Sequence, residues 1–322
     1  MSSFQSALAS HMSEYIAYKS ALGYCGSTYK SSLLNLDRFL LKAATKTIAL
    51  EKEAVLEWMQ KRPTEDKSHM SDRASFIRCF ARYLSAMGIP AYILPQRFSC
   101  ARRSGQPYIF TDGELQSLFE VIDEDRTKES LESMAFSTMM RLTYTCGLRP
   151  GESRTLRVCD VDLAKGEVHI RDGKKHIERI VIMSDDMSKS ASAYDAARRL
   201  AIPECEAFFA NAKGEYFTRE WVRRRFWRCW RDSHPGISAE ELPRVRIYDL
   251  RHRFACVTLN RWLDEKRDLY VMLPYLSAYM GHSCLSSTAY YIHLLPENLA
   301  KSPGVDWEAL NALIPEVDVW PE

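Results

Sequence analysis

Four short stretches in the second half of the chain hold residue types that handle phosphate chemistry. In TCGLRPGE, Gly147 ends one helical pattern and Pro150 opens the next, which leaves Arg149 at a helix junction. An arginine fixed there suits a bidentate grip on a phosphate; a surface arginine in a turn fits the same letters. Glu152, three residues on, either orients that guanidinium or caps the helix. In RDGKKHIER, Lys174 and Lys175 sit at the tip of a turn, where a flexible ammonium reaches a partner, though exposed turn lysines are common. IYDLRHRFACVTL reads as a helix with Tyr248, Arg251, His252 and Arg253 near its start. Tyr248 and Arg251 share a face, and a helix N-terminus bearing arginine is a ready anion site or simply a basic surface end. In YMGHSCLSSTAYYIHL, His282 follows Gly281 and Tyr291 lies nine residues beyond the histidine. A lone histidine and the adjacent pair Tyr290 and Tyr291 also read as structural residues.

These side chains need elements to hold them. Residues 4–23, 27–43, 51–62 and 68–88 carry apolar positions at helical spacing, and Gly23, Pro63 and Gly88 mark stops. A stretch rich in proline, glycine and arginine follows, over residues 88–107, and reads as a linker with the boundary near residue 104. Domains of 1–104 and 105–322 are therefore expected. Thr111 with Glu114 forms a capping box at the start of the next helix, and residues 134–147 continue the helical pattern. EVHIRDGKKHIERIVIM alternates on both sides of Asp172-Gly173, a strand–turn–strand signal. Helical patterns return from about residue 187. The fold class is mainly α with a small antiparallel β-sheet.

Bulk properties narrow the partners. The chain has 322 residues, 46% hydrophobic and 27% charged, which is ordinary for globular domains. No apolar run of about 18 residues appears, so no membrane helix is expected, and the N-terminus has no secretory signature. The expected location is the cytoplasm. The nine cysteines are scattered and form no CxxC pair, and Cys146, Cys159, Cys256 and Cys284, in apolar or small-residue surroundings, read as buried small hydrophobes. The eight histidines never join cysteines at ligand spacing, so no metal site is expected. Net charge is only +2, but residues 1–104 hold 15 basic and 8 acidic residues, a difference of +7, leaving 29 − 34 = −5 for the rest. The basic half is a candidate for phosphate contact. In the acidic half, Arg219, Arg223, Arg224, Arg225, Arg228 and Arg231 offer a local basic surface.

In their order and spacing, GLRPGE, GKKHIER, YDLRHRFA and MGHSCLSSTAYY resemble the catalytic domain of the tyrosine recombinase, or phage integrase, family across residues 108–295. The N-terminal helices resemble that family's core-binding domain in type and placement. The resemblance implies that Arg149 and Arg251 are the two catalytic arginines, Lys174 the hairpin lysine, and His282 the histidine after glycine. It implies that Tyr291 is the nucleophile, because the family's tyrosine follows that glycine by ten residues; Tyr290 is off by one. One position departs: where the family usually has histidine, three residues before the second arginine, this chain has Tyr248. A tyrosine hydroxyl donates a hydrogen bond but is a poor base near neutral pH.

The implied chemistry is attack by Tyr291 on a DNA phosphodiester, giving a 3′-phosphotyrosyl link and a free 5′-hydroxyl, with no cofactor. The arginines and His282 would stabilise the phosphate, and Lys174 would protonate the leaving oxygen. Glu152 and His252 are supporting residues, and Lys175, Arg223 and Arg224 are expected DNA contacts. The expected partner is double-stranded DNA, bound by a homo-tetramer or a recombinase hetero-complex, with no membrane. The apolar spacing in DWEALNALI predicts a tail helix that docks on a neighbouring protomer or on its own domain. Two other readings share these residues. One is a relative that binds DNA and no longer cuts it, because of Tyr248. The other is a type IB topoisomerase or telomere resolvase, against which the two-domain layout speaks. Tyr248 and the divergent N-terminal half lean towards a mobile-element integrase or transposase.

Overall fold

The computed structural model describes residues 4–24, 26–43, 47–63, 65, 67–98, 107–126, 130–171 and 178–294. The chain forms two compact units, Met1–Gly105 and Gln106–Glu322.

The first unit is helical: α1 (Ala9–Ala21), α2 (Gly26–Lys42), α3 (Lys52–Trp58) and α4 (Lys67–Ala86). Apolar residues at helical spacing turn inward, so Met12, Tyr15, Leu33, Leu36, Phe80 and Leu84 are fully or almost fully buried. Each such side chain contributes about 1.5–3 kcal/mol of transfer free energy. Buried Asp37 on α2 accepts hydrogen bonds from the backbone N–H groups of Gln5 and Ser6, which ties down the entry to α1. The Lys19 ammonium lies 5.2–5.7 Å from the ring centres of Tyr15, Tyr18, Tyr24 and Tyr29, a cation–π cluster.

The second unit contains α5 (Asp112–Arg126), α6 (Leu131–Thr145), α7 (Pro150–Arg154), β1 (Val161–Asp162), β2 (Glu167–Ile170), β3 (Arg179–Ile182), α8 (Asp185–Ala201), α9 (Arg219–Asp232), α10 (Ile247–Asp264), α11 (Leu269–Met280) and α12 (Ser286–Ala289). A 3₁₀ turn, Tyr290–Leu294, follows α12 directly. The three strands form one antiparallel sheet in the order β1-β2-β3, with Val168 opposite Val181 and Ile170 opposite Arg179. The fold is thus mainly helical with one small sheet. Strand β1, only two residues long, carries no alternation that the sequence reading could use. The turn at Asp172-Gly173, with Lys174 and Lys175, lies outside the described residues, as do the tail and its expected helix.

Local signals set the helix ends that matter. The Thr111–Glu114 capping box forms: the Thr111 N–H and hydroxyl donate to the Glu114 carboxylate, while Thr111 Oγ1 accepts from the Glu114 N–H. Gly147, at φ +60°, reverses the chain between α6 and α7; a Cβ there would stand 2.4 Å from the Phe254 ring, so only glycine fits. Gly281, also left-handed at φ +63°, stops α11.

Two cores build the unit. Phe110, Leu118, Phe136, Met139, Val181 and Trp230 belong to the larger one. The smaller one, between α10, α11 and the 3₁₀ turn, includes Leu259, Leu273, Leu276, Met280, Tyr291 and Ile292. Tyr291 is therefore anchored by packing as well as by polar contacts.

Candidate functional site

The site assembles around the C-terminus of α11. The last carbonyls of a helix have no partner within it, and here three consecutive ones each receive a different arginine. Arg179 Nε donates to Tyr279 O at 2.8 Å, Arg251 Nη2 to Met280 O at 2.5 Å, and Arg149 Nη2 to Gly281 O at 2.6 Å. The negative end of the helix dipole favours the cations. Arg149 reaches this point because Pro150 begins α7 and leaves it as N-cap. Arg251 reaches it from the second turn of α10, and Arg179 from the start of β3.

Glu152 binds two of the three arginines together. Its Oε1 accepts from Arg149 Nη1 at 2.6 Å and from Arg179 Nη1 at 3.0 Å; its Oε2 accepts from Arg179 Nη2 at 2.7 Å and from the Arg149 N–H at 2.9 Å. Both readings of Glu152 therefore hold: it orients the guanidinium and it caps the helix. Burial alone would raise its pKa, but the hydrogen bonds and charges of Arg179 and then Arg149 hold the carboxyl below its usual range. Three guanidiniums against one carboxylate leave a surplus of positive charge at the α11 end.

Arg251 is wholly buried. Its Nη1 donates to Gly147 O at 2.6 Å, and its Nη2, besides Met280 O, stands 3.1 Å from His282 Nε2. Its Nε has no hydrogen-bond partner among the described residues. Burial pushes the guanidinium pKa down. Since arginine only donates, His282 Nε2 accepts, and its Nδ1–H faces Thr288 Oγ1 at 2.8 Å. Both nitrogens of His282 are thus occupied, and donation from it to a ligand requires exchanging one of these contacts.

A cleft of about 340 Å³ opens over this platform, lined by Arg149, Tyr248, His252, His282, Tyr290 and Tyr291 among others. Arg251, buried and absent from the lining, touches the cleft through His282. Tyr291 is 2% exposed; burial pushes its phenol pKa above the ordinary value, against the pull of Arg251. Its hydroxyl lies 3.2 Å from His252 Nδ1, and its ring lies almost parallel to His282, centre to centre 6.1 Å. Tyr248 meets the His252 ring edge-on at 4.9 Å. Tyr290, also at the cleft, is exposed where Tyr291 is buried.

The structure brings together Arg149, Glu152, Tyr248, Arg251, His252, His282 and Tyr291. Lys174 and Lys175 lie outside the described residues. Arg223 and Arg224 stand apart on the exposed face of α9, where both donate to Glu220 at 2.8 Å and hold its carboxyl down to about 2. With Trp227, Arg228 and Arg231 they line a depression of about 500 Å³. Arg225 leaves this face: it donates to Ser133 at 2.6 Å and its guanidinium stacks 5.2 Å from Phe136. Arg179 is the functional-site residue that sequence reasoning missed. Its signal was its position: Arg179 and Val181 alternate onto one face of β3, and Val181 is buried. A charge on the inward face of a strand needs a buried partner, which Glu152 supplies.

The two histidines make the unit acid-sensitive. Burial, then the charges of Arg246 and Arg251, bring His252 down to about 4. Burial, then Arg251, Arg149 and Arg179, bring His282 down to about 3. Their unfolded value is 6.5. Below that pH the unfolded chain binds protons that the folded chain refuses, so their contribution is intact above about pH 6.5 and is lost as pH falls towards 4 and then 3. At about 1.36 kcal/mol per pKa unit, denaturant unfolding should show a loss of a few kcal/mol between pH 7 and 4.5. Equal stability at the two pH values contradicts this.

Comparison with known proteins places this geometry. Residues 109–298 match the model of the phage integrase family. A Sinorhizobium fredii protein named as integrase/recombinase y4rB is 29% identical over 312 residues, covering 92% of this chain and 95% of the relative. The tyrosine recombinase XerC of Proteus mirabilis is 28% identical over 278 residues, covering 83% of this chain and 84% of the relative. The crystal structure of the XerH site-specific recombinase bound to a palindromic difH substrate superposes with a TM-score of 0.65 at 18% identity, covering 88% and 80% of the two chains. The chain belongs to the phage integrase family, the tyrosine recombinases. Among the described residues, no helix is long and apolar enough to cross a membrane.

Proposed function

We propose that the protein cuts and rejoins duplex DNA through Tyr291, in the integration, excision or transposition of a mobile element. The observation that carries this is the Tyr291 hydroxyl in a cleft beside three arginines gathered on the C-terminal carbonyls of α11, two of them joined by the Glu152 carboxylate. A phosphodiester entering the cleft meets donors already oriented for the charge that grows on its oxygens. Tyr291 Oη attacks phosphorus, the bond to the 5′-oxygen breaks, and a 3′-phosphotyrosyl link keeps the bond energy for rejoining. Arg149 and Arg251 stabilise the non-bridging oxygens, the latter by trading a carbonyl for the phosphate or through its unpartnered Nε. Lys174 protonates the leaving 5′-oxygen. His282 and the Tyr248 hydroxyl donate to the phosphate.

Residues 1–104 form the core-binding domain and 105–322 the catalytic domain. Lys175 and the exposed α9 arginines Arg223 and Arg224 contact the DNA backbone, with Glu220 giving up its hold as phosphates arrive. The working assembly is a homo-tetramer, or a complex with a second recombinase, on DNA at the nucleoid. A Tn1549 transposon integrase of similar fold is in complex with transposon right end DNA, which supports the choice of DNA as partner.

A duplex from the ends of the chain's own genetic element, nicked near the exchange point, tests this reading. The short flap diffuses away after cleavage, so a covalent protein–DNA adduct accumulates. Adduct that disappears in Tyr291→Phe is the expected result. DNA bound without adduct under any condition would favour a protein that only binds.

A further inference from the structure

We propose that His252 is the general base of the reaction, accepting the Tyr291 hydroxyl proton on Nδ1 as the phenolic oxygen attacks phosphorus. The inference rests on Tyr291 being the nucleophile and adds the group that activates it.

A buried phenol stays protonated near neutral pH, so attack needs an acceptor for its proton within hydrogen-bond reach. Among the described residues lining the cleft, the candidates reduce to one. Arginine has no lone pair to offer, which removes Arg149. His282 is engaged on both ring nitrogens, by Arg251 Nη2 and by Thr288 Oγ1. The hydroxyls of Tyr248 and Tyr290 are weak bases at neutral pH, and those of Ser283 and Ser287 are weaker. His252 Nδ1 lies 3.2 Å from Tyr291 Oη, with the ring centres 5.4 Å apart.

The surroundings of His252 fit the task. Its Nε2 faces the buried Asp249 carboxylate, one turn back on α10, with Oδ1 at 3.9 Å. A proton on Nε2 is favoured on that side, which leaves the Nδ1 lone pair for the phenol. Asp249 itself is fixed, accepting from the Arg246 N–H at 2.7 Å and from Arg246 Nη2 at 2.9 Å. The groups facing the imidazole are thus Asp249, Arg246, Arg251 and Tyr248 from α10 and Tyr291 from the 3₁₀ turn, with His282 nearby. Burial and the two guanidiniums keep the free imidazole neutral through the physiological range. When the phosphate brings its negative charge and Tyr291 releases its proton, Asp249 and the phosphate stabilise the imidazolium that forms.

The step balances. The Oη–H bond breaks and Nδ1–H forms, the Oη–P bond forms, and the P–O5′ bond breaks with the 5′-oxygen protonated by a separate acid. Rejoining returns each proton by the same route. Position 248 then needs to supply only a hydrogen bond, which a tyrosine can do.

His252→Asn tests the proposal, because the asparagine amide can occupy the place of Nδ1 and keep a hydrogen bond without offering a base. Single-turnover cleavage of the nicked duplex should fall by about 10²-fold or more, with DNA binding and melting temperature close to those of the unaltered chain. In His252→Ala, added imidazole should restore cleavage in proportion to its concentration while binding stays constant. Cleavage by His252→Asn at the unaltered rate overturns the proposal, as does a His252→Ala defect that imidazole leaves untouched. Adduct formation by the unaltered chain is measured in parallel. Its absence would sink the recombination chemistry, whereas its presence at equal rates in His252→Asn would sink this role alone.

Discussion

Arg251→Ala is expected to bind DNA and cut it about 10²–10³-fold more slowly than the unaltered chain, the loss typical of removing one donor to a developing oxyanion. The structural consequences run in two directions. Gly147 O and Met280 O lose their guanidinium donor, and a buried orphaned acceptor costs about 1–3 kcal/mol. Against that, the fold no longer keeps a desolvated cation whose pKa burial has pushed down. A fold that holds an arginine with no accessible surface and leaves its Nε without a partner among the described residues carries that expense for a ligand. Arg251→Lys keeps the charge but not the planar fork, and should recover only a small part of the rate. Cleavage kinetics, with a melting curve for each variant, separate the two effects. An alanine variant that is folded and cuts at the normal rate would remove Arg251 from the proposed machinery.

Glu152→Ala should have the largest effect on stability, about 3–5 kcal/mol, because it removes the carboxylate that balances the buried Arg179 and the partly buried Arg149. The Arg179 and Glu152 side chains are each only 6% exposed, and Arg149 is 16% exposed. Glu152→Gln, which keeps an acceptor, should lose less. The double variant Glu152→Ala/Arg179→Met should recover much of the single-variant loss, since the inward face of β3 then carries an apolar side chain in place of an unpaired charge. Urea unfolding of the unaltered chain, Glu152→Ala, Arg179→Met and the double variant completes the cycle. Strictly additive losses would mean that the Glu152–Arg179 pair is not the coupling that the geometry indicates.

Much of the site was legible because its signals are local. Gly147, Pro150 and Gly281 mark chain reversals and helix ends, and each ending fixes the direction of the functional residue beside it. The Thr111–Glu114 box and the alternation of β2 and β3 are local in the same sense. What escaped depends on contacts far along the chain. Arg179 meets Glu152 across 27 positions, and His252 meets Tyr291 across 39; no periodicity encodes either. Nor does sequence show that Arg251 is buried instead of lining the cleft, or that both nitrogens of His282 are occupied. Arg225 looked equivalent to its neighbours, but helical geometry turns it about 100° from Arg224, onto Ser133 and Phe136.

The nucleophile is the residue on which the whole account turns, and two tyrosines stand side by side. Among the described residues, only Tyr291 has its hydroxyl against His252; Tyr290, at the same cleft, is 37% exposed. Protein trapped on the nicked duplex, digested with nuclease and protease and mapped by tandem mass spectrometry, locates the attachment directly. The expected result is a nucleotide phosphate on Tyr291 and none on Tyr290. A modified Tyr290, or an adduct that persists in Tyr291→Phe, would contradict it.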